Sequence, residues 1–213
     1  YGESQQALQR YLEGLNVRMI ENDLPRAAAS MDAALESDPA FVMAMMYKGQ
    51  ILLETGDLQS ALQYFDQAGD LDYRLPSNDR AVLRAATYRV TGQTDKLIGH
   101  LRLQVKLTGE ARWHQQLASL LMANGELEEA REQFRLTLEK DSLNTGIYLI
   151  LSDLERSLGN MEGAIENARR YQEARPGDMD ANLKLGELMR DSGDHDAAEA
   201  LYQEALLLDH DSV

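Results

Sequence analysis

Apolar positions recur along the 213-residue chain in blocks, each a tight turn followed by an amphipathic helix. The turns begin at Asn22, Gly56, Gly92, Gly125, Gly159 and Gly193, so that successive blocks are 34, 36, 33, 34 and 34 residues apart. Five residues after each turn residue comes Ala27, Ala61, Leu97, Ala130, Ala164 or Ala198, and four later Met31, Phe65, Leu101, Phe134, Ala168 or Tyr202. Steps of four and three place these side chains on one stripe of a helix.

The segment before each turn carries a second apolar stripe, so each block is predicted to be a helical hairpin. A small residue recurs within it, as Gly49, Ala85, Ala118, Ser152 and Gly186, where two helix backbones approach closely. Proline after Asp38 and after Arg175 marks the joins between hairpins. The predicted units are residues 8–41, 42–75, 78–110, 111–144, 145–178 and 179–212.

This period and this order of small, aromatic and alanine positions resemble the tetratricopeptide repeat over about residues 5 to 210. The resemblance implies an all-α fold, a right-handed α-solenoid of about six helical hairpins forming one domain over residues 1–213. Some positions depart from the pattern. Gly14 stands one place early, Arg18 and Glu155 replace apolar residues, and two extra residues around 73–78 predict a kink in the superhelix rather than a break into two domains.

In this family the first helix of each hairpin lines the inside of the superhelix, so the resemblance implies a partner-binding groove on its inward edge. The inward places in the amino-terminal half are mostly apolar, and those in the carboxy-terminal half are mixed in charge. The candidate groove residues are Leu12, Asn16, Met19, Ile20, Met43, Met46, Gln50, Leu53, Val82, Arg89, Arg112, Gln115, Met122, Leu149 and Arg156.

The run of methionines from Met43 to Met46 has two interpretations. Met45 falls on the core stripe, whereas Met43 and Met46 fall on the inward edge, where flexible methionine suits a helix or an extended peptide. Alternatively, the superhelix is tight enough to bury Met43 and Met46 against neighbouring hairpins.

Composition narrows the classes of partner. The formal net charge of -15 disfavours direct contact with nucleic acid or with an anionic membrane surface. The absence of cysteine excludes disulfides and thiol chemistry and leaves the compartment, cytoplasmic or periplasmic, undecided. The chain begins at Tyr1 without a signal sequence, which favours a processed protein or a fragment of a longer one.

No constellation for catalysis, cofactor or metal binding stands out, and we predict that the protein is not an enzyme. His100, His114, His195 and His210 fall in different units, without the spacing of metal ligands. The lysine–asparagine–arginine clamp with which some tetratricopeptide domains hold a terminal carboxylate is represented only by its asparagine. The arginines near the inner face, Arg112, Arg156 and Arg190, either hold an acidic segment or pair with Asp153, Glu187 and Asp191.

The leading hypothesis is a non-catalytic scaffold that binds a protein or peptide in the groove. Short stretches such as "YRLPSNDR" are similar to arrays in bacterial signalling proteins, of the winged-helix regulator and kinase types, which implies a sensory module as an alternative. An adaptor in envelope or secretion assembly is a second alternative. The apolar run Leu206–Leu208 predicts either further chain or a homodimer through the last hairpin.

Overall fold

The computed structural model describes residues 5–210, with side chains up to residue 208, and this part of the chain contains twelve α-helices and no strand. The start of the chain, the end of the sixth predicted unit and the side chain of His210 lie outside the described residues. The helices are α1 Gln5–Asn16, α2 Leu24–Ser37, α3 Val42–Glu54, α4 Leu58–Asp70, α5 Ser77–Val90, α6 Thr94–Thr108, α7 Ala111–Ala123, α8 Leu127–Lys140, α9 Ile147–Ser157, α10 Met161–Ala174, α11 Met179–Ser192 and α12 His195–His210. The predicted all-α hairpins are therefore confirmed.

The chain forms two compact units, one ending at His100 and one beginning at Leu101. In unit 1, α1 packs on α2 and α3 packs on α4, while α2 contacts α3 and α4 contacts α5. In unit 2 the same order recurs, with α7 on α8, α9 on α10 and α11 on α12. Each unit is thus built from consecutive antiparallel hairpins.

The turns between the two helices of a hairpin require a left-handed backbone, as the repeated glycine predicts. Gly56 has φ of 85° and Gly125 has φ of 82°, a region that glycine enters without steric cost. Asn22 takes this place in the first hairpin with φ of 53°. A capping side chain usually follows: Asp57 accepts a hydrogen bond of 3.1 Å from the backbone N–H of Ser60. Hydrogen bonding from the Ser60 side chain, and secondarily from its backbone N–H, lowers the pKa of the Asp57 carboxyl.

In three of the hairpins a glycine of the first helix lies directly against a large residue of the second. A Cβ added at Gly49 would lie 2.5 Å from a ring carbon of Phe65, and one at Gly186 would lie 2.7 Å from the ring of Tyr202. Side-chain atoms cannot approach so closely, so the hairpins close only because these positions lack a side chain. At Gly14 the contact is with Met31, the residue equivalent to Phe65.

The first hairpin contains one more residue than the others between its small residue and its turn. Seven positions separate Gly49 from Gly56, but eight separate Gly14 from Asn22. The extra residue is accommodated by a turn of π-helix, π1, at Val17–Glu21. This explains why Gly14 stands one place early, since the contact of Gly14 with Met31 is preserved while the chain after it shifts by one position.

The hydrophobic core is distributed along the hairpins of each unit. In unit 1, Met31 and Phe41 belong to one cluster, and Met45, Met46 and Phe65 belong to the next. In unit 2, Ala164 and Leu188 belong to a further cluster. The large buried side chains there also include Trp113, Phe134 and Leu151. Each cluster joins side chains from successive hairpins, which is how repeat proteins gain stability from neighbours.

The two extra residues of the third predicted unit fall between α4 and α5. A short 3₁₀-helix, Asp72–Arg74, precedes the buried Leu75, and α5 begins two residues later. The predicted kink and the single domain stay predictions. Over the described residues, no helix combines the length and the apolar character needed to span a bilayer.

Candidate functional site

Among the first helices of the hairpins of unit 1, the first carries the most exposed apolar side chains. Leu8 and Leu12 lie on α1, and Met19 and Ile20 lie on π1 with 82% and 75% of their surface exposed. Helical steps connect these four residues along one element, with the polar Asn16 between them. We call Leu8, Leu12, Met19 and Ile20 the first-hairpin patch.

A surface pocket of about 480 Å³ adjoins the patch. Two predicted groove residues, Met19 and Gln50, lie together in its wall. The rest of the lining comes from π1, the following turn and α3, and consists of Arg18, Asn22, Tyr47, Ile51 and Glu54. We call this space the first-hairpin pocket. A concave site with both apolar walls and a few polar groups is typical of binding sites.

Arg18 organises the polar side of the pocket. Its guanidinium donates a 2.9 Å hydrogen bond to Glu54 Oε2 and a second hydrogen bond to Asn22 Oδ1. The ion pair connects π1 to α3, so that two hairpins contribute to one site. Both terminal nitrogens of Arg18 are therefore already engaged within the protein.

Several polar groups of the pocket lack partners among the described residues. Glu54 Oε1 and the side-chain amide of Gln50 make no hydrogen bond within the part of the chain that the structure covers. The Tyr47 hydroxyl faces the same space, and its burial raises the pKa of that group, although the Arg18 charge opposes the shift. Tyr47 thus remains a neutral hydrogen-bonding group at ordinary pH.

The methionine run on α3 is mostly core. Met46 is only 4% exposed and packs in a core cluster with Met45 and Phe65, so the expectation that Met46 lies open on the groove is corrected. The alternative, burial against neighbouring hairpins, holds for this side chain. Met43 is half-buried and packs against the same core.

The other predicted groove residues of unit 1 divide between core and solvent. Leu53 and Val82 are partly buried against the same cluster as Met46. Asn16 and Arg89 are exposed. The structure therefore brings together Met19 and Gln50 in the pocket. Ile20, next to Met19 on π1, and Leu12, on the preceding α1, are exposed.

The predicted inner residues of unit 2 are largely engaged by neighbouring side chains. Arg156 lies 3.6 Å from both Asp153 and Asp191, and Arg190 lies 3.0 Å from Asp191. Lys184 also pairs with Asp153. The charges near the inner face of α9 and α11 thus form a connected network, which is the second of the two interpretations offered above for these arginines.

The remaining candidates of unit 2 lie on α7 and α9. Arg112 pairs with Glu110 at 2.7 Å and stands over the Trp113 ring, 4.6 Å from its centre. Gln115 accepts a 3.2 Å hydrogen bond from Asn144. Met122 is 37% exposed and Leu149 is half-buried.

Glu155, one of the departures from the repeat pattern, is a fully buried carboxylate in unit 2. Its oxygens accept hydrogen bonds from Arg135 at 2.7 Å, Asn160 at 2.9 Å and Arg131 at 3.4 Å. Gly163 leaves room for this cluster, because a Cβ there would lie 2.4 Å from the Asn160 amide. These contacts explain how a charge is tolerated where three other repeats carry leucine or methionine.

Two of the histidines, His100 and His114, form contacts within the fold. His100 Nε2 donates a 2.9 Å hydrogen bond to the carbonyl of Ala81, and His114 Nδ1 lies 2.8 Å from Gln133 Oε1. Within the described residues, no group of three or more histidines and carboxylates is arranged to hold a metal ion.

Sequence reasoning missed most of the pocket lining. The sequence identifies Arg18 only as a departure from the repeat and Asn22 only as a turn residue. Glu54 falls on an inward place of the second repeat but is not among the candidate groove residues, and neither is Tyr47. The sequence does contain a relevant pattern. Arg18 is a charged residue at an apolar position of the first repeat, and Glu54 is an acidic residue at the end of the first helix of the second repeat. Only the three-dimensional structure shows that Arg18 and Glu54, 36 residues apart, form an ion pair.

Comparisons with known proteins agree with this architecture. The tetratricopeptide repeat model matches residues 19–72, 116–179 and 164–211. No curated protein matches the sequence.

Three solved structures show the same fold at low sequence identity. PilW, described as a widely conserved type IV pilus biogenesis factor, is 16% identical with a TM-score of 0.74, covering 93% of this chain and 91% of PilW. Pseudomonas aeruginosa pilF is 16% identical with a TM-score of 0.72, covering 94% and 90%. YrrB, a tetratricopeptide protein with an unusual peptide-binding site, is 23% identical with a TM-score of 0.52, covering 82% and 89%. Because the family model matches more than half of the sequence, the chain belongs to the tetratricopeptide repeat family.

Proposed function

We propose that this protein is a non-catalytic interaction scaffold that binds a helix or an extended segment of a protein partner on the first-hairpin patch and pocket. The observation that carries the proposal is the exposure of Met19 and Ile20 beside a pocket that contains unpaired polar groups. Large apolar side chains exposed next to a concave site typically mark a protein contact.

The distribution of charge favours unit 1 over unit 2 for this contact. In unit 2, the charged side chains on α9 and α11 already pair with one another, so a partner would have to compete with existing ion pairs. In unit 1, the patch is apolar and exposed among the described residues. Burial of apolar surface there contributes about 25 cal/mol per Å² removed from water.

The fold is compatible with peptide recognition, as the description of YrrB illustrates for another member of the fold. The likeness to the pilus biogenesis factor PilW extends to the fold alone. A sensory module of a bacterial regulator or kinase, an adaptor in envelope or secretion assembly and a homodimer through the last hairpin stay predictions. The proposed scaffold role requires no cofactor.

The proposal is tested by panning a random-peptide phage library on the wild-type protein and measuring the affinity of enriched peptides by fluorescence anisotropy. The test variant combines Met19→Glu with Ile20→Glu. We expect it to bind at least about tenfold more weakly, because central apolar contacts carry most of the energy of an interface.

A control variant places one new negative charge, half the change of the double variant, at another exposed apolar position. Leu143 is 87% exposed and lies between α8 and α9 in unit 2. Leu143→Glu is expected to leave peptide affinity unchanged. Equal affinities for wild type, the double variant and the control would overturn the proposed site, provided that circular dichroism shows all three folded.

A further inference from the structure

We infer that the first-hairpin pocket receives a cationic side chain, so that the partner is a basic amphipathic segment rather than a neutral or acidic one. The inference rests on the proposed function and specifies the chemistry of the partner.

The pocket contains one charged acceptor oxygen without a partner among the described residues, beside neutral groups that can either accept or donate. Glu54 Oε1 carries negative charge and has no partner among the described residues, and the Gln50 carbonyl oxygen and the Tyr47 hydroxyl can accept beside it. A lysine ammonium offers three donors and an arginine guanidinium five, so either matches this set. A neutral side chain would leave the carboxylate oxygen without a charged partner.

The cation of the pocket is unsuited to receive an anion. Arg18 donates through one terminal nitrogen to Glu54 Oε2 and through the other to Asn22 Oδ1. An acidic side chain that approached the remaining N–H groups of Arg18 would also approach Glu54, a carboxylate of the same charge that already neutralises Arg18. Repulsion between like charges opposes that approach.

The net charge of the whole chain acts in the same direction. With a formal charge of -15, the protein attracts basic segments and repels acidic ones at long range. Long-range attraction alone does not define a site, because 36 acidic residues are available to a basic peptide. The test must therefore separate Glu54 from the general field of the protein.

The probes are three synthetic helical peptides with leucine on one face and lysine, glutamine or glutamate on the other. Their affinities for the full chain are measured by fluorescence anisotropy at about 50 and 300 mM salt, since added salt weakens the general attraction. We expect the leucine–lysine peptide to bind more tightly than the leucine–glutamine peptide, and the leucine–glutamate peptide most weakly.

The deciding variants are Glu54→Gln and Asp66→Asn. Both remove one negative charge from unit 1, but Asp66 lies exposed on the outer helix α4, away from the pocket. Glu54→Gln is expected to weaken binding of the lysine peptide about threefold to tenfold, the range of a partly exposed ion pair, while Asp66→Asn changes it less than about twofold. The glutamine peptide should not distinguish the two variants.

The possible outcomes separate this inference from the function on which it rests. Equal losses in the two variants would mean general charge attraction and would overturn the cation site, as would tighter binding of the glutamate peptide. If the glutamine peptide binds in a Met19-dependent manner and lysine adds nothing, the cation site is wrong and the proposed function stands. If no peptide depends on Met19, both are wrong.

Discussion

The buried carboxylate of Glu155 offers a quantitative test of how unit 2 tolerates a charge in its core. Glu155 accepts three hydrogen bonds and is 0% exposed, whereas its partners Arg131 and Arg135 are 30% and 51% exposed at their side chains. Substituting Glu155→Ala removes these bonds and leaves a cavity, but the two arginines can regain water. We therefore expect Glu155→Ala to lower the free energy of unfolding by about 3 kcal/mol, at the low end of the range for a variant that leaves a buried charge without its partner.

An apolar residue of similar volume should restore most of this stability. In three of the five other repeats the equivalent position is apolar, as Leu52, Leu121 and Met189, so an apolar side chain is compatible with this place in the hairpin. Replacing a buried ion pair with a well-packed apolar residue is often neutral. Glu155→Leu is accordingly expected to lie within about 1 kcal/mol of wild type.

Trp113 makes the measurement specific to unit 2. It is the only tryptophan of the chain and is buried in that unit, so its fluorescence follows the unfolding of unit 2 in urea. With a denaturant dependence of about 2 kcal/mol per M, Glu155→Ala should lower the urea midpoint by about 1.5 M. If Glu155→Leu is destabilised as much as Glu155→Ala, the polar network itself is required and the reasoning is refuted.

Three further predictions concern individual packing and titrating groups. Gly49→Ala should destabilise unit 1 by about 1–3 kcal/mol, because the added Cβ would contact Phe65. Gly69→Ala, on an open helix surface, should not destabilise it. Thermal melting followed by circular dichroism measures both variants, and equal effects would contradict the close packing at Gly49. Tyr202→Phe should raise the free energy of unfolding of unit 2 by about 1 kcal/mol, because the buried Tyr202 hydroxyl has no hydrogen-bond partner among the described residues. The urea midpoint should rise accordingly, and a lower midpoint would show that the hydroxyl does make a hydrogen bond. Burial lowers the pKa of His100 below its ordinary value of 6.5, although the hydrogen bond to Ala81 opposes the shift. The stability that neutral His100 contributes is therefore complete above pH 6.5 and is lost as the pH falls from that value towards the lowered pKa of the folded state. His100→Gln should remove this part of the pH dependence of unfolding, measured by circular dichroism, and identical pH profiles for the two proteins would contradict the prediction.

The helices and their turns were predictable because the repeat imposes strong local constraints. A turn that needs a left-handed residue selects glycine, and the close contact between two helices selects a small residue, as at Gly56 and Gly49. Both requirements, glycine at the turn and a small residue at the helix contact, can be recognised in a single sequence. The pairing of helices within a hairpin follows from them.

The candidate site was less predictable, because it depends on small rotations of side chains about the helix axis. Met43 and Met46 differ by three positions, yet one is half-buried and the other is in the core. The displaced Gly14 indicated an irregularity in the first hairpin but not that π1 would absorb it. The pocket also depends on the pairing of Arg18 with Glu54, which local periodicity does not encode.

The central claim, that partners bind on the first-hairpin patch, is tested most directly by NMR of the methionine methyl groups. The chain contains nine methionines, of which Met19 is the most exposed in unit 1 and Met31 is buried in the core of the same hairpin. On titration with the leucine–glutamine peptide, the account predicts that the Met19 methyl signal, assigned through Met19→Leu, shifts and saturates while the Met31 signal stays unchanged. Saturating shifts confined to Met122, Met161, Met179 and Met189 of unit 2, with Met19 unaffected, would contradict it.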